Sequence, residues 1–416
     1  MKNKPKIRFA GYTDDWKQRK LGNIMSTVTD YVAAGSFAEL RKNVTYRSET
    51  NYAQLIRTVD LKKKFTNNDF VYVDGNAFEY LWRVNLDEEC IVLPNIGANI
   101  GEVYYVQPSD LPHENNVLGP NAILLKTNED NYFVFTTLNT ALFQKKLFEN
   151  VGASGQPKFN KTELKSITLE MPSLEEQKQI GEYFSHLDNL ITFHLRKLDS
   201  LKQCKKYMLS KMFPKNGETV PEIRFEGFTG DWERRKFSEL YAKSSEKNDG
   251  SIGMDRNITV ATMQFKDDVK VSTLEYLKTY YTFNLGDIAF EGHQSKEFRF
   301  GRFVENDIGN GIVSHIFTVF RPIIEFDLQF WKYAINNEML MQQILSRSTK
   351  ASTMMHDLVT DDFLNETFLV PSLDEQKQIG ACLYSLDHLI TLHQHKLDSL
   401  KQFKNYMLQN MFPSAD

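Results

Sequence analysis

The 416-residue sequence has three cysteines and lacks any long apolar run. Cys90, Cys204 and Cys382 lie far apart in the chain, so they fit neither a disulfide framework nor the spacing of metal ligands. No stretch reaches the roughly 20 apolar residues that span a bilayer, and the Lys-rich start is not followed by the apolar segment of a signal peptide. We therefore expect free thiols, no bound metal and a cytoplasmic location.

The sequence also lacks an excess of positive charge. Its 50 Lys and Arg residues are outnumbered by 54 Asp and Glu residues, which leaves a net charge of −4. Proteins that bind nucleic acid usually carry a basic patch or stripe. A chain with this balance can bind DNA only if its basic residues are gathered on one face or if partners supply positive charge.

The motifs of common enzyme classes are missing as well. We find no GxGxxG after a predicted strand, no GxxxxGK[ST] and no HExxH. There is also no Asn-Pro-Pro-aromatic segment of the kind that holds a flipped adenine in methyltransferases. The sequence therefore predicts that this chain is not an enzyme and that any chemistry comes from other subunits.

What the sequence does contain is a repeat. Residues 171–214 return at 370–413 with 29 of 44 positions identical, and residues 5–20 return at 221–236 with ten of sixteen identical. The segments between these copies share almost no sequence with each other. A duplicated scaffold therefore carries two different inserts, which suits a protein whose inserts each recognise something different.

The longer repeat is predicted to form one helix in each copy. Ser173 and Ser372 are followed three residues later by a glutamate, which is the pattern of a capping box at a helix start. Proline comes next only at Pro214 and Pro413, and the residue before a proline is pushed out of helical geometry. Each helix is then roughly 40 residues, or about 58 Å, long.

Apolar residues follow each predicted helix at alternating spacings of four and three, which is the heptad pattern of a coiled coil. The alternative, an amphipathic helix on a globular domain, has a wider stripe with period 3.6. We predict that the two copies form an antiparallel pair in which Lys205 lies opposite Ile379 and the histidines are polar seam residues. The predicted seam consists of Ile180, Phe184, Leu187, Ile191, His194, Leu198 and Leu201 in the first copy, and Ile379, Leu383, Leu386, Ile390, His393, Leu397 and Leu400 in the second.

Both inserts show short β-branched and apolar runs followed by a helical pattern, so we predict two α+β domains of one fold. In the first insert the runs include Gln54 to Leu61 and Cys90 to Leu93, and the helix spans about Tyr132 to Glu149. In the second insert a strand covers Ile312 to Phe320 and a helix about Leu328 to Ser346. The predicted divisions are 1–171 for the N-terminal stretch and first domain, 172–214 for the first helix, 215–371 for the repeated stretch and second domain, and 372–416 for the second helix.

The order of these parts resembles a known family. The Pro-Ser-Leu-Glu-Glu-Gln-Lys-Gln-Ile opening of a long helix, found twice and each time after a variable insert, is similar to the specificity subunit of type I restriction-modification systems. In the first insert, residues 93–103 (LPNIGANIGEV) and 152–161 (GASGQPKFNK) also resemble recurring segments of that family. The second insert departs at the latter place, where it reads TKASTMMH over 349–356.

The resemblance implies a division of labour between subunits. Each insert is then a target-recognition domain that reads one half of an asymmetric bipartite DNA site, and the helices set the distance between the half-sites. The expected partners are double-stranded DNA, two modification subunits that bind S-adenosylmethionine and methylate adenine, and restriction subunits that use ATP and Mg²⁺. This chain itself is expected to hold no cofactor.

Side chains that read bases or hold phosphates are typically Arg, Lys, Asn, Gln, Ser and Thr. A flexible glycine-flanked loop can enter a groove, which favours Gln156 and Lys158. The candidates in the first insert are Arg41, Lys42, Arg47, Lys62, Lys63, Lys64, Ser154, Gln156 and Lys158. Those in the second are His293, Gln294, Ser295, Lys296, Arg299, Arg302, Arg347, Ser348, Thr349 and Lys350. Each of them is alternatively a solvated surface residue.

An internal duplication offers the same surface twice, so it predicts two copies of one partner. The candidates for this surface are Glu176, Lys178, Lys197, Lys202 and Gln203, their counterparts Glu375, Lys377, Lys396, Lys401 and Gln402, and Trp16 and Trp232. The alternative is a solvated helix surface and buried tryptophans. Two rival hypotheses remain. One is a coiled-coil scaffold without a DNA role, and the other is a nuclease built on scattered carboxylates such as Asp287 and Glu291.

Overall fold

The computed structural model describes residues 4–149, 151, 157–215, 217–266, 273–352 and 355–413. The chain divides into two compact units. Unit 1 comprises Met1–His194 and Lys396–Asp416, and unit 2 comprises Leu195–His395. Each unit therefore contains one insert together with segments of both long helices.

The strands of unit 1 are short. Along the chain, all but the last of them precede the helices at 131–166. The strands are β1 (Lys17–Lys20), β2 (Met25–Asp30), β3 (Ala53–Ile56), β4 (Val71–Val73), β5 (Cys90–Pro94), β6 (Tyr104–Val106), β7 (Asn116–Leu118), β8 (Ala122–Thr127) and β9 (Thr168–Met171). The helices that begin in this unit are α1 (Leu21–Ile24), α2 (Phe37–Asn43), α3 (Thr58–Lys62), α4 (Gly75–Tyr80), α5 (Asn131–Leu138), α6 (Ala141–Glu149), α7 (Lys161–Ser166) and α8 (Leu174–Lys211).

Unit 2 has a related order of elements, with more strands and fewer helices among the described residues. Its strands are β10 (Glu233–Lys236), β11 (Tyr241–Ser244), β12 (Ile258–Thr259), β13 (Gln264–Phe265), β14 (Tyr281–Phe283), β15 (Ile288–Glu291), β16 (Arg302–Glu305), β17 (Gly311–Val313), β18 (Thr318–Pro322), β19 (Thr349–Ala351), β20 (His356–Leu358) and β21 (Thr367–Val370). Its helices are α9 (Phe237–Leu240), α10 (Leu274–Leu277), α11 (Leu328–Ile335), α12 (Glu338–Ser348), α13 (Thr360–Asn365) and α14 (Leu373–Asn410).

Each unit is built around one antiparallel four-stranded sheet of the same topology. The order is β2-β8-β5-β6 in unit 1 and β11-β18-β15-β16 in unit 2. A two-stranded antiparallel ribbon joins the end of each copy of the shorter repeat to the strand before each long helix, as β1 with β9 and as β10 with β21. The predicted fold class, two α+β domains on two long helices, is confirmed.

The central strands are buried on both faces because each sheet separates two apolar clusters. Along β5, Ile91 and Leu93 pack into the cluster that contains the long helices, whereas Val92 packs into a second cluster with α2 and α4. Along β15, Ile288 packs into the cluster that contains the long helices, whereas Ala289 packs into a second cluster on the other face. Side chains alternate between the faces of a strand, so an uninterrupted apolar run such as Cys-Ile-Val-Leu fits a strand covered on both sides.

Four predicted elements have different bounds in the structure. The predicted helix over Tyr132 to Glu149 is two helices, α5 and α6, because the Thr140 hydroxyl accepts the Phe143 N–H at 3.3 Å and starts a new helix. The helix predicted in the second insert divides in the same way into α11 and α12, and the strand predicted over Ile312 to Phe320 is the pair β17 and β18. The strand predicted from Gln54 ends at Ile56, since the Asp60 carboxylate accepts the Arg57 N–H at 2.8 Å and begins α3.

The two long helices have the predicted length. Each contains 38 residues, which corresponds to about 57 Å at 1.5 Å per residue. Within unit 1 the Asp188 carboxylate of α8 accepts from Lys404 of α14, while Phe184, one turn earlier, packs against Phe412 beyond the end of α14. Residue numbers thus rise along α8 in the direction in which they fall along α14, so the segments in this unit are antiparallel.

The predicted register of this pair is wrong. Lys205 was expected opposite Ile379, but in unit 2 its Nζ lies 2.6 Å from the Asp387 carboxylate. Asp387 is eight residues, or about 12 Å, beyond Ile379 on the same helix. The helices are therefore displaced by at least one turn from full overlap. The reason is that the partly buried ammonium group of Lys205 is stabilised by a carboxylate and not by an apolar side chain.

Candidate nucleic-acid interface

Two loops meet at the end of strand β5 in unit 1. The first connects β5 to β6 over residues 95–103, and the second precedes α7 over residues 157–160. Their backbones are tied together, since the Gly97 N–H donates to the Pro157 carbonyl at 3.1 Å and the Phe159 N–H donates to the Asn95 carbonyl at 3.2 Å. Ile96 and Lys158 form a β-bridge between these hydrogen bonds. We call these segments the first loop pair.

The equivalent strand of unit 2 ends at an equivalent pair of loops. Residues 292–301 connect β15 to β16, and the hairpin of β19 and β20 follows α12. The His356 N–H donates to the Gly292 carbonyl at 2.8 Å, and His293 forms a β-bridge with Met355. We call these segments the second loop pair. Both pairs lie at the same position of the shared topology although their sequences are unrelated.

The structure brings some sequence-predicted residues onto the loop pairs and leaves others elsewhere. Lys158 belongs to the first pair, and the second contains His293, Gln294, Ser295, Lys296, Arg299, Thr349 and Lys350. Ser154 and Gln156 lie outside the described residues. Arg41 and Lys42 are on α2, and Lys62, Lys63 and Lys64 are on or just after α3. The candidates of the first insert therefore do not form one continuous group around the loops.

Several candidates on the described surface are exposed and are not in ion pairs. They are Arg41, Lys42, Lys63, Lys64 and Lys158 in unit 1, and His293, Gln294, Lys296, Arg299 and Lys350 in unit 2. The Ser295 hydroxyl instead accepts the N–H of Phe298 at 3.0 Å, so it stabilises the turn of its loop. Arg299 lies over the ring of Phe300 at 5.5 Å.

Other candidates are already neutralised by a carboxylate. They are Arg47 with Asp74 (3.4 Å), Lys62 with Glu102 (2.5 Å), Arg302 with Glu291 (2.7 Å) and Arg347 with Glu366 (2.6 Å). A cation in such a pair must leave its carboxylate before it can contact a phosphate. These residues are weaker candidates for DNA contacts than the unpaired cations of the loop pairs.

The carboxylates considered for a nuclease site are not assembled for that chemistry. Asp287 is buried and bound by the Arg321 guanidinium at 3.0 Å, and Glu291 is bound by Arg302. Burial raises the pKa of Asp287 above its usual value, although Arg321 opposes this shift. Within the described ranges, His, Cys, Asp and Glu side chains form no group of three that could hold a metal ion. Every helix in those ranges is also too short or too polar to cross a membrane.

The expected partner surface contains residues that are in fact internal. Glu176 and Glu375 are fully buried, and Trp16 and Trp232 are 1% and 3% exposed. These four side chains cannot contact a partner. The assignment of Glu176 and Glu375 to an exposed face is wrong, and for Trp16 and Trp232 the alternative of buried tryptophans holds. The lysines and glutamines of the same prediction are exposed: Lys178, Lys197, Lys202 and Gln203, with Lys377, Lys396, Lys401 and Gln402.

Arg8 was missed by the sequence reasoning and explains the buried glutamate. Its Nε and Nη2 atoms both lie 2.7 Å from the Glu176 carboxylate. The Ser173 hydroxyl accepts the Glu176 N–H at 3.3 Å, so one half of the predicted capping box forms, while the carboxylate turns to the arginine. Arg224 and Glu375 repeat the pair at 2.7 and 2.8 Å. The signal was present, since both arginines are identical between the copies of the shorter repeat.

The next residues of the repeated Gln-Lys-Gln-Ile-Gly segment hold the insert onto the helix. The Gln177 side chain accepts the Asp130 N–H at 3.3 Å and donates to the Pro172 carbonyl at 3.1 Å. A Cβ at Gly181 would lie 2.1 Å from the Asp130 carboxylate. Only glycine permits this approach of α8 to the start of α5. In unit 2 a Cβ at Gly380 would lie 2.5 Å from the Asp327 carboxylate.

These elements are shared with known proteins. A family model described as the Type I restriction modification DNA specificity domain matches the chain twice, over residues 13–203 and 230–402. The matches include both four-stranded sheets, both loop pairs and most of both long helices. This chain belongs to that family. The membership predicted from the repeated helix opening is thereby confirmed.

Two relatives within the specificity-domain family come from Methanocaldococcus jannaschii. The putative type I restriction enzyme MjaX specificity subunit is 26% identical over 230 residues, which is 51% of this chain and 49% of that protein. The type I restriction enzyme MjaVIII specificity subunit is 23% identical over 358 residues, which is 80% of this chain and 82% of that protein. This chain thus spans about half of the first relative and most of the second.

The fold of the specificity-domain family is seen in a similar solved structure. The crystal structure of a type I restriction-modification system S subunit from M. genitalium matches with a TM-score of 0.59 at 13% identity. The match covers 99% of this chain and 100% of that chain. At 13% identity this similarity shows a shared fold and does not extend to the side chains of the loop pairs.

Proposed function

We propose that this chain is the non-catalytic subunit that recognises the DNA sequence in a type I restriction-modification complex in the cytoplasm. Each unit reads one half of an asymmetric bipartite site, unit 1 through the first loop pair and unit 2 through the second. The observation that carries this proposal is the pairing of one topology with two unrelated loop sequences. Readers built alike but with different side chains will select different bases.

Base readout requires side chains that can reach a groove and are not already committed. Lys158 offers one exposed cation on the first loop pair, and Gln294 and Lys296 offer an amide and a cation on the second. A DNA groove admits strands and loops as well as helices. The two loop pairs therefore supply the polar groups that the proposed readers need, although the chain as a whole is acidic.

The long helices support a second part of the proposal, a fixed distance between the half-sites. Both α8 and α14 continue for 38 residues without a proline. A continuous helix of about 57 Å transmits position along its length far better than a flexible linker does. We infer that the helices act as the spacer that sets the number of base pairs between the half-sites.

The helices also carry exposed apolar residues in both copies, which supports docking of two equal partners. Leu190 and Leu389 are 47% and 40% exposed, and Tyr207 and Tyr406 are both 54% exposed. Such apolar positions on an otherwise polar helix face are typical of protein interfaces. We propose that two modification subunits bind these repeated faces and that restriction subunits join the assembly.

The chemistry of the complex is assigned to these partners. The modification subunits are proposed to bind S-adenosylmethionine and to methylate an adenine that leaves the duplex stack. The restriction subunits are proposed to use ATP and Mg²⁺ to cut DNA. This chain contributes recognition, spacing and docking.

The test is to map methylated adenines in DNA treated with the assembled complex. Wild-type chain should direct methylation to a two-part site of constant spacing. Replacing His293, Gln294 and Lys296 together by Ala should relax base selection in one half-site only. Lys158→Ala should act on the other half-site, by loss of affinity or by relaxation of one base. Lys4→Ala is the control with little effect, because Lys4 is exposed, paired with Asp15 and outside both loop pairs.

Two results would overturn the proposal. Methylation without sequence preference would favour the scaffold hypothesis, in which the chain has no DNA role. Relaxation of both half-sites by the change in the second loop pair would show that the units do not read separate sequences.

A further inference from the structure

Unit 1 contains a cavity beside the first loop pair that the proposed readers do not use. Its volume is about 660 Å³, and it lies among the 3-10 helix of Tyr31–Ala34, helix α2 and the ends of β5 and β8. Pockets that hold small molecules typically have a volume of about 300–1,000 Å³ and an apolar lining with a few polar groups. The size and the location therefore suit a ligand.

The apolar part of the lining includes aromatic rings that are open to solvent. Phe37 is 74% exposed and Tyr46 is 50% exposed, while the Tyr46 hydroxyl is 3.2 Å from that of buried Tyr31. Large aromatic side chains are rarely left exposed next to one another without a binding role. Planar rings that flank an opening are suited to stacking against another planar ring.

The polar part of the lining combines amides and a hydroxyl with the charged side chains of Asp30 and Arg41, of which Asp30 is paired with Lys161 at 2.7 Å. Asn95, Thr45 and Asn121 line the cavity. Asn121 is held in the left-handed region with φ of 68°, and its carbonyl accepts the Asn95 N–H at 3.1 Å. Asparagine amides pair with the hydrogen-bonding edge of adenine, because each offers one donor and one acceptor at matching positions. Aromatic faces with such amides are the combination that recognises unstacked bases.

The cavity is continuous with the first loop pair. Asn95 and Ile96 belong both to the lining and to the loop after β5. Ile96 is joined to Lys158 by a β-bridge. A ligand in the cavity would therefore lie beside the loop that is proposed to meet DNA.

We propose that this cavity binds a nucleobase, stacked on Phe37 and Tyr46 and hydrogen-bonded by Asn121. The base comes either from a free nucleoside or nucleotide, or from a nucleotide extruded from the bound duplex. The second source rests on the proposed function, whereas the first does not. In either case the site belongs to unit 1 and adds a base-sized ligand to the recognition surface.

The first experiment titrates the full-length chain with 2-aminopurine riboside and follows its fluorescence, which stacking quenches. Wild-type protein should give a saturable decrease. Phe37→Ala and Tyr46→Ala should each weaken binding at least about fivefold, because stacking on an aromatic side chain contributes about 1–3 kcal/mol per base, which is about 5- to 150-fold at 1.4 kcal/mol per tenfold change. Trp82→Ala is the matched control, since Trp82 is 62% exposed and does not line the cavity.

A second variant tests the hydrogen-bonding group. Asn121→Gly removes the amide but keeps the backbone conformation, because glycine adopts positive φ without strain. It should weaken binding of 2-aminopurine riboside about tenfold, with thermal unfolding unchanged. Equal affinity of this variant and the wild type would mean that the cavity takes apolar ligands in general, and the nucleobase assignment would be withdrawn.

The second experiment distinguishes the two sources of the base. Duplexes carrying 2-aminopurine at successive positions of the methylation site are mixed with the assembled complex. A fluorescence change at one position that Phe37→Ala removes, while Trp82→Ala retains it, assigns the cavity to an extruded base. Riboside binding without such a position assigns it to a free nucleoside or nucleotide.

Failure of this inference is separable from failure of the proposed function. Absence of saturable binding in both experiments overturns the nucleobase site even if the complex methylates a two-part sequence. Riboside binding by a chain that directs no sequence-specific methylation keeps the site and rejects the proposed function.

Discussion

Arg8 and Glu176 illustrate what identity between the two copies means for a single residue. Both are identical to their counterparts Arg224 and Glu375, and in each unit the guanidinium and the buried carboxylate form two hydrogen bonds. Removing one member would leave a buried charge without a partner, which is strongly destabilising. These identical residues are therefore explained by the junction of insert and helix, whereas the sequence alone made Glu176 a candidate for partner contact.

Glu305 on β16 is also a buried acid, but unlike Glu176 it is not bound by an arginine. It is 4% exposed, and neither of its carboxylate oxygens has a hydrogen-bond partner among the described residues. Burial raises the pKa of Glu305 well above its usual value. The folded protein therefore keeps a proton on this group at pH values where the unfolded chain has lost it.

The raised pKa of Glu305 predicts a pH-dependent effect of Glu305→Gln. Folding of the wild type takes up a proton above about pH 4.5, so its stability falls as pH rises towards the pKa of the folded state. Glutamine mimics the protonated acid and does not titrate. The variant should be more stable than the wild type at pH 8 and nearly equal to it at pH 4. The difference at pH 8 should be about 1.4 kcal/mol for each pH unit between 4.5 and the folded-state pKa of Glu305, counted no further than pH 8.

Urea unfolding of both proteins between pH 4 and pH 8 checks this expectation. The difference between the two unfolding free energies isolates residue 305, because other groups titrate alike in both proteins. A variant that becomes less stable relative to the wild type as pH rises would show that the carboxylate is ionised and stabilised in the folded state.

At the level of elements, two equivalent networks join the long helices to the inserts. In unit 1 the Asp188 carboxylate accepts from Lys404 Nζ at 2.5 Å and from the Tyr132 hydroxyl at 2.8 Å. In unit 2 Asp387 accepts from Lys205 at 2.6 Å and from Tyr333 at 2.7 Å. Each network connects α8, α14 and the first helix after the sheet, so it selects one register of the helices.

A double-mutant cycle on Asp188 and Lys404 tests this role. Replacing either residue by Ala leaves the other half-buried without its charge partner, so we expect a coupling energy of about 0.5–3 kcal/mol in urea unfolding. The pair Lys4 and Asp15 serves as the control, because both side chains are at least half exposed and such pairs contribute about 0–1 kcal/mol. A coupling no larger than the control would mean that the apolar seam alone sets the register.

The elements differ in how well the sequence predicted them. The long helices follow from heptads and capping serines, which are local signals that extend over many residues. The split of α5 from α6 was missed because a single hydroxyl, that of Thr140, caps the new helix within an apolar pattern. The β-strands were located by apolar runs, but their pairing depends on contacts between distant segments.

On the scale of the whole molecule, the acidic balance predicts a division between specificity and affinity. The net charge is −4, so phosphate attraction by this chain is limited to local groups such as Lys158 and Lys296. Counterion release on binding DNA increases with the number of phosphates neutralised. The proposed partners must therefore supply much of the affinity, while the loop pairs supply the choice of sequence.

The proposed spacer role gives a prediction on the same scale. Inserting three heptads after His194 and again after His395 keeps the seam and lengthens each helix by about 31 Å, close to the 34 Å of one DNA turn. The assembled complex should then methylate the same half-sites separated by about nine to ten additional base pairs. Four-residue insertions at the same places are the control, because they break the heptad pattern and should abolish methylation.

Genome-wide or plasmid mapping of methylated adenines measures this spacing directly. Unchanged spacing after the three-heptad insertions would show that the helices do not set the distance. Loss of methylation with both kinds of insertion would also contradict the spacer role. The three-heptad insertions preserve the seam, so a spacer should still direct methylation.

The sequence by itself determined the repeat, the two long helices, the two unlike inserts and the family, because repeats and periodicities are properties of neighbouring residues. Only the tertiary structure decided the register of the helices, the burial of Glu176 and Trp16, and the meeting of residues 95–103 with 157–160. These depend on which distant groups complete a buried charge or a backbone hydrogen bond, and a pattern along the chain does not specify the partner. The cavity at Phe37 and Asn121 belongs to the same class, since its walls come from four separate segments.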